Sequence, residues 1–131
     1  MMNELASVTI FAIVQIFNTN TGLRMVNVTG LPDEAACVSY LSDDEDYGGI
    51  IITERAVCVD ELPSVYAPAF RNESIPGVVY LSMSYLQDGN TWPTRFLFFG
   101  VAPEWRSQEG CDLLAASYRE LAHGGKIDCI L

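Results

Sequence analysis

Positive charge is what this sequence has least of. Its 131 residues include six arginines, one lysine (Lys126) and one histidine (His123) against seventeen aspartates and glutamates, a formal net charge of −10 at pH 7. Phosphate backbones and anionic lipid surfaces repel such a chain. Direct nucleic-acid or membrane binding is therefore disfavoured, whereas a basic protein partner, one that itself handles nucleic acid, is favoured. With one histidine there is no histidine pair for a metal, and a histidine-dependent triad would have to use His123. That residue stands beside Gly124 and Gly125 at an expected helix end, where it caps the last carbonyls and meets the negative pole of the dipole. A glycine-rich phosphate loop and a nucleophile motif are also missing, so no catalytic residue and no cofactor are assigned.

Cysteine is scarce and scattered. Cys37, Cys58, Cys111 and Cys129 form no CxxC pair and have no neighbouring histidine, which argues against zinc and against thioredoxin-type chemistry. The reading preferred for them is small core residues in a reducing cytoplasm; two disulfides of an exported protein are the other. Long hydrophobic runs are absent as well. Residues 8–17 are strongly apolar but too few to span a bilayer, and residues 1–7 carry Glu4 and no basic side chain, unlike a signal peptide.

What the chain does have is strands. Residues 78–101, VVYLSMSYLQDGNTWPTRFLFFGV, are two β-branched and aromatic runs joined by residues 87–93, which reads as a hairpin whose second arm is apolar on both faces. An interior strand of this kind requires cover on each side. Residues 8–17 and 23–28 form a second such hairpin around a turn at 18–22. Pro32, Asp33 and Glu34 open a helix whose face is Ala36, Cys37, Tyr40 and Leu41. Ile50, Ile51, Ile52 and Thr53 begin a third strand, with residues 55–59 continuing it beyond a bend. Residues 60–77, with Pro63, Pro68 and Pro76, form a long irregular connection pinned by Tyr66 and Phe70. Pro103 opens a second helix with Cys111, Leu114, Tyr118 and Leu121 on one face, and residues 126–131 end in a short strand. The order β-β-α-β-loop-β-β-α-β describes one α+β domain: a mostly antiparallel sheet of five to seven strands with two helices packed on one face.

The expected contacts are polar and aromatic. Asp43, Asp44, Glu45 and Asp46, followed by Tyr47, form an acidic patch suited to a basic partner. Read as a calcium loop, residues 43–54 offer Glu54 at position twelve and glycine at six, but Tyr47 occupies a ligand position and a strand follows, so no metal is assigned. Trp92, with Asn90 beside it in the hairpin turn, is the expected exposed anchor; Trp105 is expected to close the core. The function expected is a non-enzymatic acidic inhibitor that blocks a basic nucleic-acid-handling protein, of antidote or phage anti-defence (anti-CRISPR-like) type. The alternative is a small carboxylate-dependent enzyme or ligand-binding domain with its pocket under residues 60–77. Two hairpins apolar on both faces, with two helices to cover them, also lead to an expected homodimer.

Overall fold

The structure, a computed structural model, describes residues 8–19, 23–42, 51–87, 89–103, 106–117 and 126–131, with backbone alone at 51, 52, 85–87 and 117. Among the described residues six strands make one sheet: β1 (Ile10–Asn18), β2 (Arg24–Leu31), β3 (Ile51–Val59), β4 (Val78–Gln87), β5 (Asn90–Phe99) and β6 (Asp128–Ile130). Helix α1 (Glu34–Ser42) follows β2, α2 (Gln108–Ser117) follows β5, and a 3-10 helix (Ala67–Arg71) interrupts the connection from β3 to β4. The class is the expected α+β. The strand order is β3-β1-β2-β5-β4-β6, every neighbouring pair antiparallel. The two hairpins are thus joined through β2 and β5, the strands whose apolar side chains face both ways.

Side chains directly opposite across an antiparallel ladder share a face, so the register sorts the core into two layers. The first face carries Ala12, Thr29, Asn27, Met25, Phe98, Leu81, Met83, Cys58 and Cys129, and both helices pack there: α1 over Ala12, Leu31 and Cys58, α2 over Met25, Leu81, Met83 and Phe98. The second face carries Ile13, Val28, Val26, Leu97 and Tyr80 and is covered by residues 60–77 through Leu62, Tyr66, Ala69, Phe70 and Ile75. The connection is therefore a strap over the sheet. This removes the reason given above for a second copy, since the face left over by the helices is covered by the chain itself. Val28, Leu31, Leu81, Leu97 and Phe98 are almost completely buried, and each contributes roughly 1.5–3 kcal/mol of transfer free energy.

Arg95 holds the strap down. It is 7% exposed and lies between sheet and strap; its Nε donates to the Ala69 carbonyl at 2.8 Å, one Nη donates to the carbonyls of Thr94 at 2.9 Å and Met83 at 3.3 Å, and the guanidinium carbon stands 5.0 Å from the centre of the Phe70 ring. Tyr80, fully buried, makes a second tie by donating from its hydroxyl to the Glu73 carbonyl at 2.6 Å. Burial raises the Tyr80 hydroxyl above its ordinary value of 10.0, Arg95 working against the rise and Glu73 with it. A raised folded-state pKa means that the neutral phenol stabilises the fold below about pH 10 and that this contribution is lost as pH climbs through the folded value. Alkaline unfolding followed by circular dichroism should therefore begin above pH 10 and be shifted to higher pH in Tyr80→Phe; an unchanged alkaline limb would refute the assignment.

Three sequence expectations are corrected. The β4–β5 turn is not residues 87–93: Gln87 pairs with Asn90, and Gly89, at φ +80°, supplies the positive φ of a two-residue connection. Pro93 lies within β5, where it is tolerated because the β2–β5 ladder ends at Thr29 opposite Thr94. Helix α2 starts at Gln108 rather than at Pro103, with the Ser107 hydroxyl accepting from the Gly110 N–H at 3.1 Å. The bend expected in β3 is present, as a bulge at Glu54 between the residues paired with Gln15 and Ile16, and residues 55–59 continue the strand.

The third correction is chemical. The cysteines are paired, Cys37 with Cys58 and Cys111 with Cys129, at Cα separations of 6.2 and 5.6 Å, and none of the four is free. Each bridge ties one helix to one outer strand of the sheet, α1 to β3 and α2 to β6. Sequence spacing carries no signal for this pairing, because partners 21 and 18 residues apart meet only through the strand order.

Candidate functional site

The strand order gathers acidic side chains at one end of the sheet. β2 ends at Leu31 opposite Ile10, and the chain passes directly into Pro32, Asp33 and Glu34; β3 ends at Val59 opposite Phe11 and passes into Asp60 and Glu61. Because β1 separates β2 from β3, the two acidic pairs emerge two strand spacings apart, roughly 10 Å. Asn90 and Gln87 close the β4–β5 hairpin at this same end. Asp33, Glu34, Asp60, Glu61 and Asn90 are all exposed. The Asp33 carboxylate accepts from the Ala36 N–H at 2.8 Å and so caps α1, whose N-terminal dipole favours the negative charge there.

Cations are placed elsewhere. Arg24 pairs with Glu54 at 2.9 Å at the opposite end of the sheet and lies over the Phe17 ring; Arg71 pairs with Glu73 at 2.9 Å, and Lys126 with Asp128 at 3.8 Å. Arg95 is buried. These exposed pairs contribute little to stability, up to about 1 kcal/mol each, and none of them involves Asp33, Glu34, Asp60 or Glu61. Asp33, Glu34, Asp60 and Glu61 were not selected in the sequence because each pair follows an apolar strand and stands alone until the strand order unites them.

The residues that were selected are divided. Asp43, Asp44, Glu45, Asp46 and Tyr47 lie outside the described residues, as do Trp105 and His123. The chain leaves α1 at Ser42 and re-enters the sheet at Ile51 opposite Asn18, at the end away from Asn90. Trp92 is not at a turn. It is the third residue of β5, half-buried on the helix-bearing face with the cluster formed by Ala12, Leu31 and Cys37. Asn90 is the exposed first residue of that strand.

Two further features bear on chemistry. Beneath α1, the Tyr40 hydroxyl donates to Asn27 Oδ1 and accepts from Thr29 at 3.1 Å, while Asn27 Nδ2 donates to Thr94 at 3.1 Å and to the Arg95 carbonyl at 3.3 Å. Asn27, Thr29 and Thr94 are at most 3% exposed, and the network satisfies its members internally, so it serves to orient α1 on the sheet. Where the strap rejoins β4, a cleft of about 290 Å³ is walled by Ile75, Pro76, Val78, Val79 and Leu131 with Arg106 at its side. Among the described residues no three His, Cys, Asp or Glu side chains converge as a metal site, and no helix is long and apolar enough to cross a membrane.

No known protein family, curated protein or solved structure matches the chain.

Proposed function

We propose that this is a non-enzymatic binding protein whose acidic end of the sheet seats against a basic protein partner, and that it acts as an inhibitor by covering the partner's nucleic-acid-handling surface. The observation that supports this most is the separation of charge: Asp33, Glu34, Asp60 and Glu61 project at one end beside one another, while Arg24 pairs with Glu54 at the opposite end, Arg71 pairs with Glu73 in the strap, Lys126 pairs with Asp128 on the far edge strand, and the exposed Arg55 and Arg106 stand in mid-β3 and beside Val101. Exposed carboxylates of this kind raise the encounter rate with a cationic surface and suppress binding to polyanions. Two disulfides suit an oxidising compartment, so the proposed partner is a basic protein met there, such as an exported nuclease, rather than a cytoplasmic defence complex.

The partner captured on the immobilised chain at low salt supplies the test. Neutralising the four carboxylates together (Asp33→Asn, Glu34→Gln, Asp60→Asn, Glu61→Gln) should slow association with it by about tenfold at low salt and flatten the salt dependence. Asparagine caps a helix as well as aspartate does, so Asp33→Asn keeps the start of α1 and the fold with it. The control neutralises Glu109 and Asp112, exposed on α2. Should the control slow association and the quadruple variant not, the binding end has been misplaced.

The ligand-binding alternative rests on the cleft beside Arg106. Its walls are mainly apolar, with one guanidinium and no carboxylate pair among the described lining residues, which favours retention of a small amphipathic anion over acid–base catalysis.

A further inference from the structure

The two disulfides join equivalent partners, a helix and an outer strand, but the strands they secure differ in what else holds them. β3 is paired with β1 along residues 11–18, and its Cys58 lies within that ladder opposite Ala12. β6 has three residues, pairs with β4 only at Tyr80, Leu81 and Ser82, and carries Cys129 as its middle residue opposite Leu81. Behind it lies β4, a ten-residue strand whose Val79, Tyr80 and Leu81 are at most 2% exposed. Cys111 is fully buried and Cys129 half-buried.

We infer that Cys111–Cys129 is a site of thiol–disulfide exchange that latches β6 over the edge of β4, while Cys37–Cys58 is a permanent brace. The co-reactant is a dithiol reductant. Its thiolate attacks the Cys129 sulfur, forming a mixed disulfide and expelling Cys111 as a thiolate that takes up a proton; the second thiol of the reductant then displaces Cys129, leaving two protein thiols and one oxidised dithiol. Three residues of ladder do not keep a strand docked once the covalent tie is gone, because a two-strand pairing of that length is marginal in water. The backbone edge of β4 at residues 80–82 is then open. β3, carried by its long ladder, stays in place when its own bridge is cut. The asymmetry is independent of the binding role proposed above, since it involves neither the acidic end nor a partner.

Graded dithiothreitol on the intact chain, with timed alkylation read by mass spectrometry and hydrogen exchange read at backbone amides, tests this directly. Cys111 and Cys129 should become alkylated about tenfold sooner than Cys37 and Cys58, and those amides of residues 80–82 that point to β6 rather than to β5 should lose protection while those of residues 25–29 in β2 keep theirs. The double variant Cys111→Ala/Cys129→Ala should show the open edge without reductant. Cys37→Ala/Cys58→Ala should lower protection of residues 80–82 no more than that of residues 25–29. Opening of both bridges at one rate, earlier opening of Cys37–Cys58, or retained protection of the β6-facing amides of residues 80–82 after Cys111 and Cys129 are alkylated would each overturn the inference. If either variant fails to fold, the reductant series on the natural sequence decides alone.

Discussion

Arg95→Ala should destabilise the protein by about 3–4 kcal/mol, measured as the shift in a urea unfolding curve. Three backbone carbonyls, those of Ala69, Thr94 and Met83, share this guanidinium as donor, and Phe70 packs on its face. Truncation to alanine removes the charge-assisted bonds and also opens a void between strap and sheet, so desolvation and cavity costs add. The damage should be local in pattern as well as large. Residues 60–77 should become sensitive to proteolysis before the sheet does, because Ala69 and Phe70 lose their anchor while the β1–β2 ladder is untouched. Arg95→Lys keeps the charge but offers a compact ammonium in place of a planar fork, and it should recover less than half of the loss. A change below about 1 kcal/mol for the alanine variant would mean that the strap is held by Phe70 and Tyr80 alone.

Arg95 also shows where sequence reading stops. In the run Thr94, Arg95, Phe96 it reads as the one charged residue of a strand apolar on both faces, and nothing local supplies its partners. The structure buries it because the face it points to is roofed by the strap, a long-range event that no local period encodes. Strands were legible wherever β-branched and aromatic residues alternate, as in β1, β4 and β5, and so was the start of α1, where Asp33 caps as its position suggests. Boundaries were lost where one residue type serves two purposes: Pro93 reads as a turn yet sits at the end of a ladder, and Pro103 reads as a helix start while Ser107 provides the cap. Strand order was not legible, since β2 and β5 are apolar on both faces and would pair with several neighbours equally well. Everything that depends on strand order was therefore hidden: the disulfide partners, the convergence of Asp33, Glu34, Asp60 and Glu61, and the position of Trp92 within the sheet.

Replacing Cys37 and Cys58 together by alanine should cost about 3 kcal/mol of global stability, the loop-closure entropy of a bridge spanning 21 residues. That loop contains the end of α1 and most of β3, so in the unfolded chain its release frees a segment that the folded sheet must order again. Alanine leaves the buried site of Cys37 apolar, and little cavity is added to the entropic loss. The second bridge spans 18 residues and has nearly the same closure entropy, so on that ground alone its removal would cost nearly as much. The two should nevertheless differ in how the cost is expressed. β3 remains paired with β1 after its bridge is lost, and the molecule still unfolds as one unit, with an unchanged denaturant slope and a lower midpoint. β6 detaches first, so removal of Cys111–Cys129 should reduce the slope, because part of the surface is already exposed before the main transition. Equal midpoints and equal slopes for the two double variants would show that β6 is held by its contacts with β4 and α2, and that the bridge beside it is one brace among two.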